Sequence, residues 1–230
     1  MKLTYFGHSA WKLSGNGHAL LVDPFISGNP NPVIDVESSD LACGYILLSH
    51  GHGDHLGDAI PLARKWNATI IANFELAMYC ARKGAQVHGM HLGGGFDFPF
   101  GRVKLTPALH GNVVEDDDGL FPTGNPAGFV IHLGGKVIYH AGDTGIFSDM
   151  KLIGQLDKLD VALLPIGDNF TMGPADALAA AEMLAAKLTI PMHYNTFPLI
   201  RQDPQAFVAA LARKGLAGRV VTPGETVEVG

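Results

Sequence analysis

The stretch that decides the reading is Ser49-His50-Gly51-His52-Gly53-Asp54-His55-Leu56-Gly57-Asp58, directly after the apolar run of residues 45–48. It puts three imidazoles and a carboxylate within six residues at the carboxyl end of a predicted strand, where α/β folds build sites. Imidazole and carboxylate together suit a borderline divalent cation such as zinc. Gly51 and Gly53 are expected to let the backbone turn tightly enough to aim the neighbouring side chains inward. A loop can send residues i and i+2 to one ion and i+4 and i+5 to a second, so the spacing leaves room for two metals. Two ions about 3.5–4 Å apart need six or more protein groups, so further ligands must lie downstream.

Working outward, branched apolar runs at residues 2–6, 19–22, 45–48, 69–71, 103–105, 128–132, 137–139, 161–164 and 189–192 predict strands, many buried on both faces. Helical patterns lie between them at 59–66, 74–83, 174–187 and 204–214, so the class is α/β. Pro174 after Gly173, and Asp203 before Pro204, mark two helix starts. In the first of these helices, Leu178, Ala181, Leu184 and Leu188 are expected to form the stripe that packs on a sheet. No repeat, low-complexity tract or linker divides the chain, so residues 1–230 are expected to form one domain. Residues 26–40 and 111–125 read as polar loops, the second carrying Glu115, Asp116, Asp117 and Asp118 as a solvated turn or a rim over a site.

Composition narrows the function. With 47% hydrophobic and 17% charged residues the chain is globular, and a net charge of −6 without a basic cluster argues against nucleic acid or an anionic membrane as partner. Cys43 and Cys80 form no CxxC pattern and read as buried, inert thiols. The N-terminus lacks the apolar core of a leader and no run reaches about 18 apolar residues, so the expected address is the cytoplasm. Eleven histidines, several beside acids and glycines, are the surplus that needs a chemical explanation.

Candidates for the missing ligands end apolar runs: His110, Asp143 and His193. At this point the chain resembles the metallo-β-lactamase fold superfamily, whose H-x-H-x-D-H motif stands here as His50, His52, Asp54 and His55, with the later positions matched by His110, Asp143 and His193. More narrowly it resembles the UPF0173 group of metal-dependent hydrolases, through YFGHSA at 5–10, TGNPAG at 123–128, YHAGDT at 139–144, LPIGDNFTMGP at 164–174 and PMHYNTFP at 191–198.

The resemblance implies an αββα four-layer sandwich with two divalent ions, zinc first and Mn2+, Fe2+ or Ni2+ as other candidates. By analogy His50, His52 and His110 would hold one ion, Asp54, His55 and His193 the other, and Asp143 would bridge them. The expected reaction is attack of a metal-bridging hydroxide on an ester, amide, lactone or phosphoester of a small molecule, with Asp54 orienting the nucleophile or passing on its proton. His8 is expected near the site and Asp23 as acceptor for a ligand imidazole. Asp168, Asn169 and Asn195 are expected to line the pocket, and His140 to be a buried hydrogen-bonding group. His18, His88, His91 and His132 lack ligand spacing. A phosphodiesterase or nuclease of the same superfamily would need a basic groove, and a non-catalytic metal-dependent sensor would keep the ligands without turnover. Di-iron redox chemistry is disfavoured by His at position 52 and by a chain too short for a flavin domain. A homo-oligomer is compatible with the sequence.

Overall fold

The computed structural model describes residues 1–230. One sheet contains β1 (Lys2–Gly7), β2 (Ala10–Gly15), β3 (His18–Val22), β4 (Tyr45–Leu47), β5 (Thr69–Asn73) and β6 (Gln86–Met90). The second contains β7 (Gly95–Phe98), β8 (Gly101–Pro107), β11 (Ala127–Leu133), β12 (Lys136–His140), β13 (Val161–Pro165) and β14 (Leu188–Met192), with a hairpin of β9 (Val113–Asp116) and β10 (Gly119–Pro122) set apart. The C-terminal strand β15 (Thr226–Glu228) returns to the first sheet beside β1. Helices α1 (Gly53–Leu56), α2 (Ala59–Trp66) and α3 (Phe74–Arg82) follow strands of the first sheet, and α4 (Met150–Asp157), α5 (Pro174–Leu184) and α6 (Pro204–Arg213) accompany the second.

Strand side chains alternate between faces, and here the two faces feed different cores. Leu21, Ile46 and Ile70 stand in register across β3, β4 and β5 and pack under α2 and α3, whereas Val22, Leu47 and Ile71, one residue later, meet the other sheet. In β13 the same alternation sends Val161 and Leu163 between the sheets and Ala162 and Leu164 toward α4, α5 and α6. Three apolar layers thus separate four structural ones, the αββα sandwich, and explain why these runs are continuously hydrophobic rather than alternating.

Strand direction positions the site. The β1–β2 and β2–β3 pairs are antiparallel and β3–β4 is parallel, so β1, β3 and β4 run the same way. In the second sheet β8, β12, β13 and β14 likewise share one direction. Residues just past the carboxyl ends of these strands therefore gather at one edge of the sandwich.

Several expectations change. In α5 the buried face is Ala177, Ala180, Ala181 and Leu184, because the helix ends there with Ala185 in the left-handed conformation. Leu178 lies in a groove against α6, and Leu188 opens β14. Ala181 and Leu184 of the expected stripe thus lie on the buried face, while Leu178 and Leu188 do not, their places taken by Ala177 and Ala180 in this alanine-rich helix. The acidic loop is the β9–β10 hairpin, tied to α3 where Asp116 accepts from Tyr79 Oη (2.7 Å) and pairs with Lys83 (2.7 Å). No helix is long and apolar enough to cross a membrane.

Candidate metal centre

Strained backbone collects at this edge. Ten non-glycine residues have positive φ, and six of them, His8, Asp23, Asp168, Asn169, His193 and Asn195, follow the ends of β1, β3, β13 and β14. Each such residue costs up to about 1–2 kcal/mol, and strain of this kind persists where the surroundings hold it for a purpose. Gly53 to Leu56 form the single turn α1, with His52 at its N-cap position. Gly51 and Gly53 both keep negative φ, so the expected tight glycine turn is corrected. Gly51 is needed for close approach instead: a Cβ there would lie 2.6 Å from Val114 Cγ2 and 2.8 Å from Thr123 Oγ1 of the hairpin region. Gly142 (φ +62°) is needed for both reasons, since a Cβ would meet Ala127 O at 2.7 Å just before Asp143.

The seven side chains expected to hold metal converge. His50 Nε2 lies 3.0 Å from His52 Nδ1, which lies 3.3 Å from His110 Nε2. His193 Nε2 is 3.0 Å and His55 Nε2 3.2 Å from the two oxygens of Asp143, and Asp54 Oδ2 is 4.0 Å from His193 Nε2. The donor atoms of His50, His52 and His110 form one compact group, those of Asp54, His55 and His193 another together with His8, and those of His50, His55 and Asp143 a third between them.

Hydrogen bonds fix which nitrogens are free. Asp23, fully buried, accepts Ser49 N–H (2.8 Å), Ser49 Oγ–H (2.6 Å) and His55 Nδ1–H (2.8 Å). Because Ser49 spends its proton on Asp23, its oxygen accepts from His50 Nδ1, 3.0 Å away. One carboxylate thus sets both tautomers and turns the Nε2 lone pairs of His50 and His55 toward the centre. His8 differs: Nε2 donates to Asp54 Oδ2 (3.0 Å) and Nδ1 accepts from Thr196 Oγ1 (2.9 Å), so both nitrogens are engaged and the ring holds Asp54 in place.

Burial pushes His50, His52 and His110 down, so they present neutral imidazoles, and pushes His8 down to about 4 against its bond to Asp54. Burial also opposes charge on Asp143 and His55, but the histidines around Asp143 hold its carboxyl well below the usual range, and Asp143 and Asp23 hold His55 above its own. An ionised Asp143 beside the neutral imidazoles of His50, His52 and His110 is a donor set suited to a cation, which would displace the proton that Asp143 and Asp23 hold on His55.

Of the remaining expectations, Asp23 and His8 stand against the donor cluster, and His140 is buried, donating from Nε2 to Ser9 O (3.1 Å) and accepting Gly142 N–H on Nδ1 (3.2 Å). Asp168, Asn169 and Asn195 are exposed and absent from the cleft lining; Asn195 instead borders a neighbouring cavity with His8 and Thr196. Their short side chains serve their own left-handed turns, Asp168 Oδ1 accepting Asn169 N–H (2.9 Å) and Asn195 Oδ1 accepting Gln202 N–H (2.9 Å). Sequence reading missed Asn112, whose Oδ1 accepts Gly51 N–H (2.7 Å) and Thr123 Oγ1–H (2.6 Å), clamping the metal loop to the hairpin. It also missed Thr196, although PMHYNTFP contained it, and Ser49, whose place between strand and His50 was the available signal.

The residues fit a metal on their own chemistry. His55 Nε2, Asp143 Oδ1 and both nitrogens of His193 are buried without a hydrogen-bond partner; the 3.2 Å approach of His55 Nε2 to Asp143 Oδ1 is not aligned as one. Unpaired buried polar atoms cost about 1–3 kcal/mol each, and three of these, His55 Nε2, Asp143 Oδ1 and His193 Nε2, face the same donor cluster.

Comparison with known proteins agrees. A family model described as a beta-lactamase superfamily domain matches residues 2–193. The chain is 54% identical over 230 residues to a UPF0173 metal-dependent hydrolase of Anoxybacillus flavithermus, covering 100% of each chain. It is 55% identical over 231 residues to the protein of that name in Desulforamulus reducens, again covering 100% of both. Igni18, a metallo hydrolase from the hyperthermophilic archaeon Ignicoccus hospitalis, matches with a TM-score of 0.90 at 38% identity, over 98% of this chain and 97% of that one. The chain belongs to the metallo-β-lactamase superfamily and, within it, to the UPF0173 metal-dependent hydrolases.

Proposed function

We propose that the protein is a dinuclear hydrolase of small-molecule esters, amides, lactones or phosphoesters. His50, His52 and His110 would hold one ion, Asp54, His55 and His193 the other, and Asp143, with an oxygen near each set, would be shared. Zinc suits these nitrogen and oxygen donors, with manganese, iron and nickel as competitors. Such ions, when bound, supply Lewis acidity and a water acidic enough to act as a nucleophile near neutral pH.

The chain's own residues supply the rest. Asp23, through Ser49 and His55, holds two ligand rings in one tautomer. His8 takes Oδ2 of Asp54 and leaves Oδ1 free to accept the proton of the attacking water and return it to the leaving group. Side-chain exposure of 28% puts Asp54 at the cleft surface, while Asp143, at 3%, is enclosed by its imidazoles.

The observation that carries this reading is the set of buried, unpartnered His55, His193 and Asp143 atoms among further imidazoles. Metal analysis of protein purified without chelator, with hydrolysis of ester and phosphodiester panels before and after chelation, tests it. Two equivalents of metal and chelator-sensitive turnover are expected; one equivalent or fewer, or turnover indifferent to chelation, overturns it.

A further inference from the structure

Above its polar floor the cleft changes character. It has a volume of about 640 Å³, and besides His52, Asp54, His110, Asp143 and His193 its lining is Phe170, Phe197, Pro198 and Leu199. The second set is wholly apolar, and none of the nine residues is a lysine or arginine. Phe170 is 52% and Leu199 67% exposed. Two large apolar side chains left in water on one cleft mark a surface that expects an apolar occupant.

The wall is built. Phe170 follows the left-handed pair Asp168 and Asn169 (φ 61° and 51°), and Phe197 and Leu199 follow left-handed Asn195 (φ 60°), Phe197 at the N-cap of the 3-10 turn Pro198–Ile200 and Leu199 within it. Gln202 joins the two loops by donating from Nε2 to Gly167 O (3.3 Å), and its N–H is held by Asn195. Phe197 packs its ring 5.6 Å from that of His8, anchoring the wall to the group that holds Asp54. Asp168 and Asn195 thus act on the cleft by shaping the loops that present these side chains.

A charged arm lying on four apolar side chains would lose hydration with nothing to replace it, whereas an alkyl or aryl arm gains from burial. Resting on the hydrolase reading above, we infer that the substrate joins its hydrolysable head to an uncharged apolar arm, the floor taking the head and Phe170, Phe197, Pro198 and Leu199 taking the arm. An anionic diester chain is the wrong shape of charge for this wall.

The test uses the metal-loaded protein and straight-chain alkyl hydroxamic acids of increasing length, whose head binds metal without being cleaved, with binding measured by calorimetry. Affinity is expected to rise about fourfold per methylene while the chain lies on the wall, and to fall when the chain ends in a carboxylate. F170A and L199A should flatten that rise at wild-type metal content. A series of p-nitrophenyl esters run in parallel should show KM falling with chain length. Hydroxamate affinity independent of length, equal or tighter binding of the carboxylate-ended chain, or a slope unchanged in both variants overturns the inference. Absence of any ester or phosphodiester turnover beside length-dependent hydroxamate binding overturns hydrolysis while supporting the apolar arm.

Discussion

Two buried aspartates stand at opposite ends of the parallel pair β12–β13, and their surroundings could hardly differ more. At the amino end Asp160 is fully partnered, Oδ2 accepting Val137 N–H (2.9 Å) and Oδ1 pairing with Lys187 Nζ (2.8 Å). At the carboxyl end Asp143 is enclosed by three imidazoles and its Oδ1 has no hydrogen bond. Both are buried, at 8% and 3% exposure. Buried polar groups with complete partners hold a chain together, and buried polar groups that converge without partners are waiting for a ligand. Mutations at the two ends should therefore report on different things: metal at one, stability at the other.

The largest effect is expected from D143A or H52A. Either removes a donor from the convergent set, so bound metal should fall and hydrolysis drop by at least about 100-fold, more than disturbing a supporting group does, while circular dichroism stays that of the native fold. Full metal content with a full rate in either variant would break the contrast at once. D23N comes next. Asparagine tolerates the left-handed backbone of Asp23 (φ 44°), so the fold is kept, but its amide offers Ser49 and His55 one acceptor where the carboxylate offered two. The tautomers of His50 and His55 then lose their anchor, and metal affinity measured by competition with a chromophoric chelator should weaken about 10–100-fold.

N112A sharpens the comparison between floor and hairpin. It strips the buried Gly51 N–H of its acceptor, which should destabilise the protein by about 1–3 kcal/mol in a urea titration and weaken metal binding less than D23N does. Asn112 also shows why the site was only partly legible. His50 to His55 could be read because four donors crowd six positions after an apolar run, and His110, Asp143 and His193 because each closes such a run. Asn112 sits in a stretch whose acids suggested solvent, and only the β9–β10 pairing brings it under Gly51.

The fold divides the same way. The central strands were legible because residues facing two cores are continuously apolar. β2, with half its residues turned outward, β7 and β15 at sheet edges, and the short α4 carry too little pattern of their own and form because neighbours are already there. The apolar wall was opaque for a related reason: Phe170 and Leu199 are single residues in loops, and nothing in a linear string says that two turns held by Asp168 and Asn195 will face the same cleft.

The smallest effect is expected at the satisfied end. Burial pushes the Asp160 carboxyl up, but the bond from Lys187, the Val137 N–H and the charges of Lys187 and Lys136 outweigh it and hold the group below the usual carboxylate range. A depressed folded-state pKa contributes stability that is present above the unfolded value, about 3.9, and is lost as pH falls through the folded one. Lys187 is 76% exposed, so solvent screens much of its attraction. D160N should therefore cost about 1 kcal/mol at pH 7, and wild type and variant should converge in urea titrations below about pH 4. Metal content and hydrolysis per bound metal should not change, because Asp160 lies at the far end of the strands from every donor. Loss of metal in D160N would mean that the two ends are coupled through β12 and β13, and that partnered and unpartnered aspartates do not separate structure from function here.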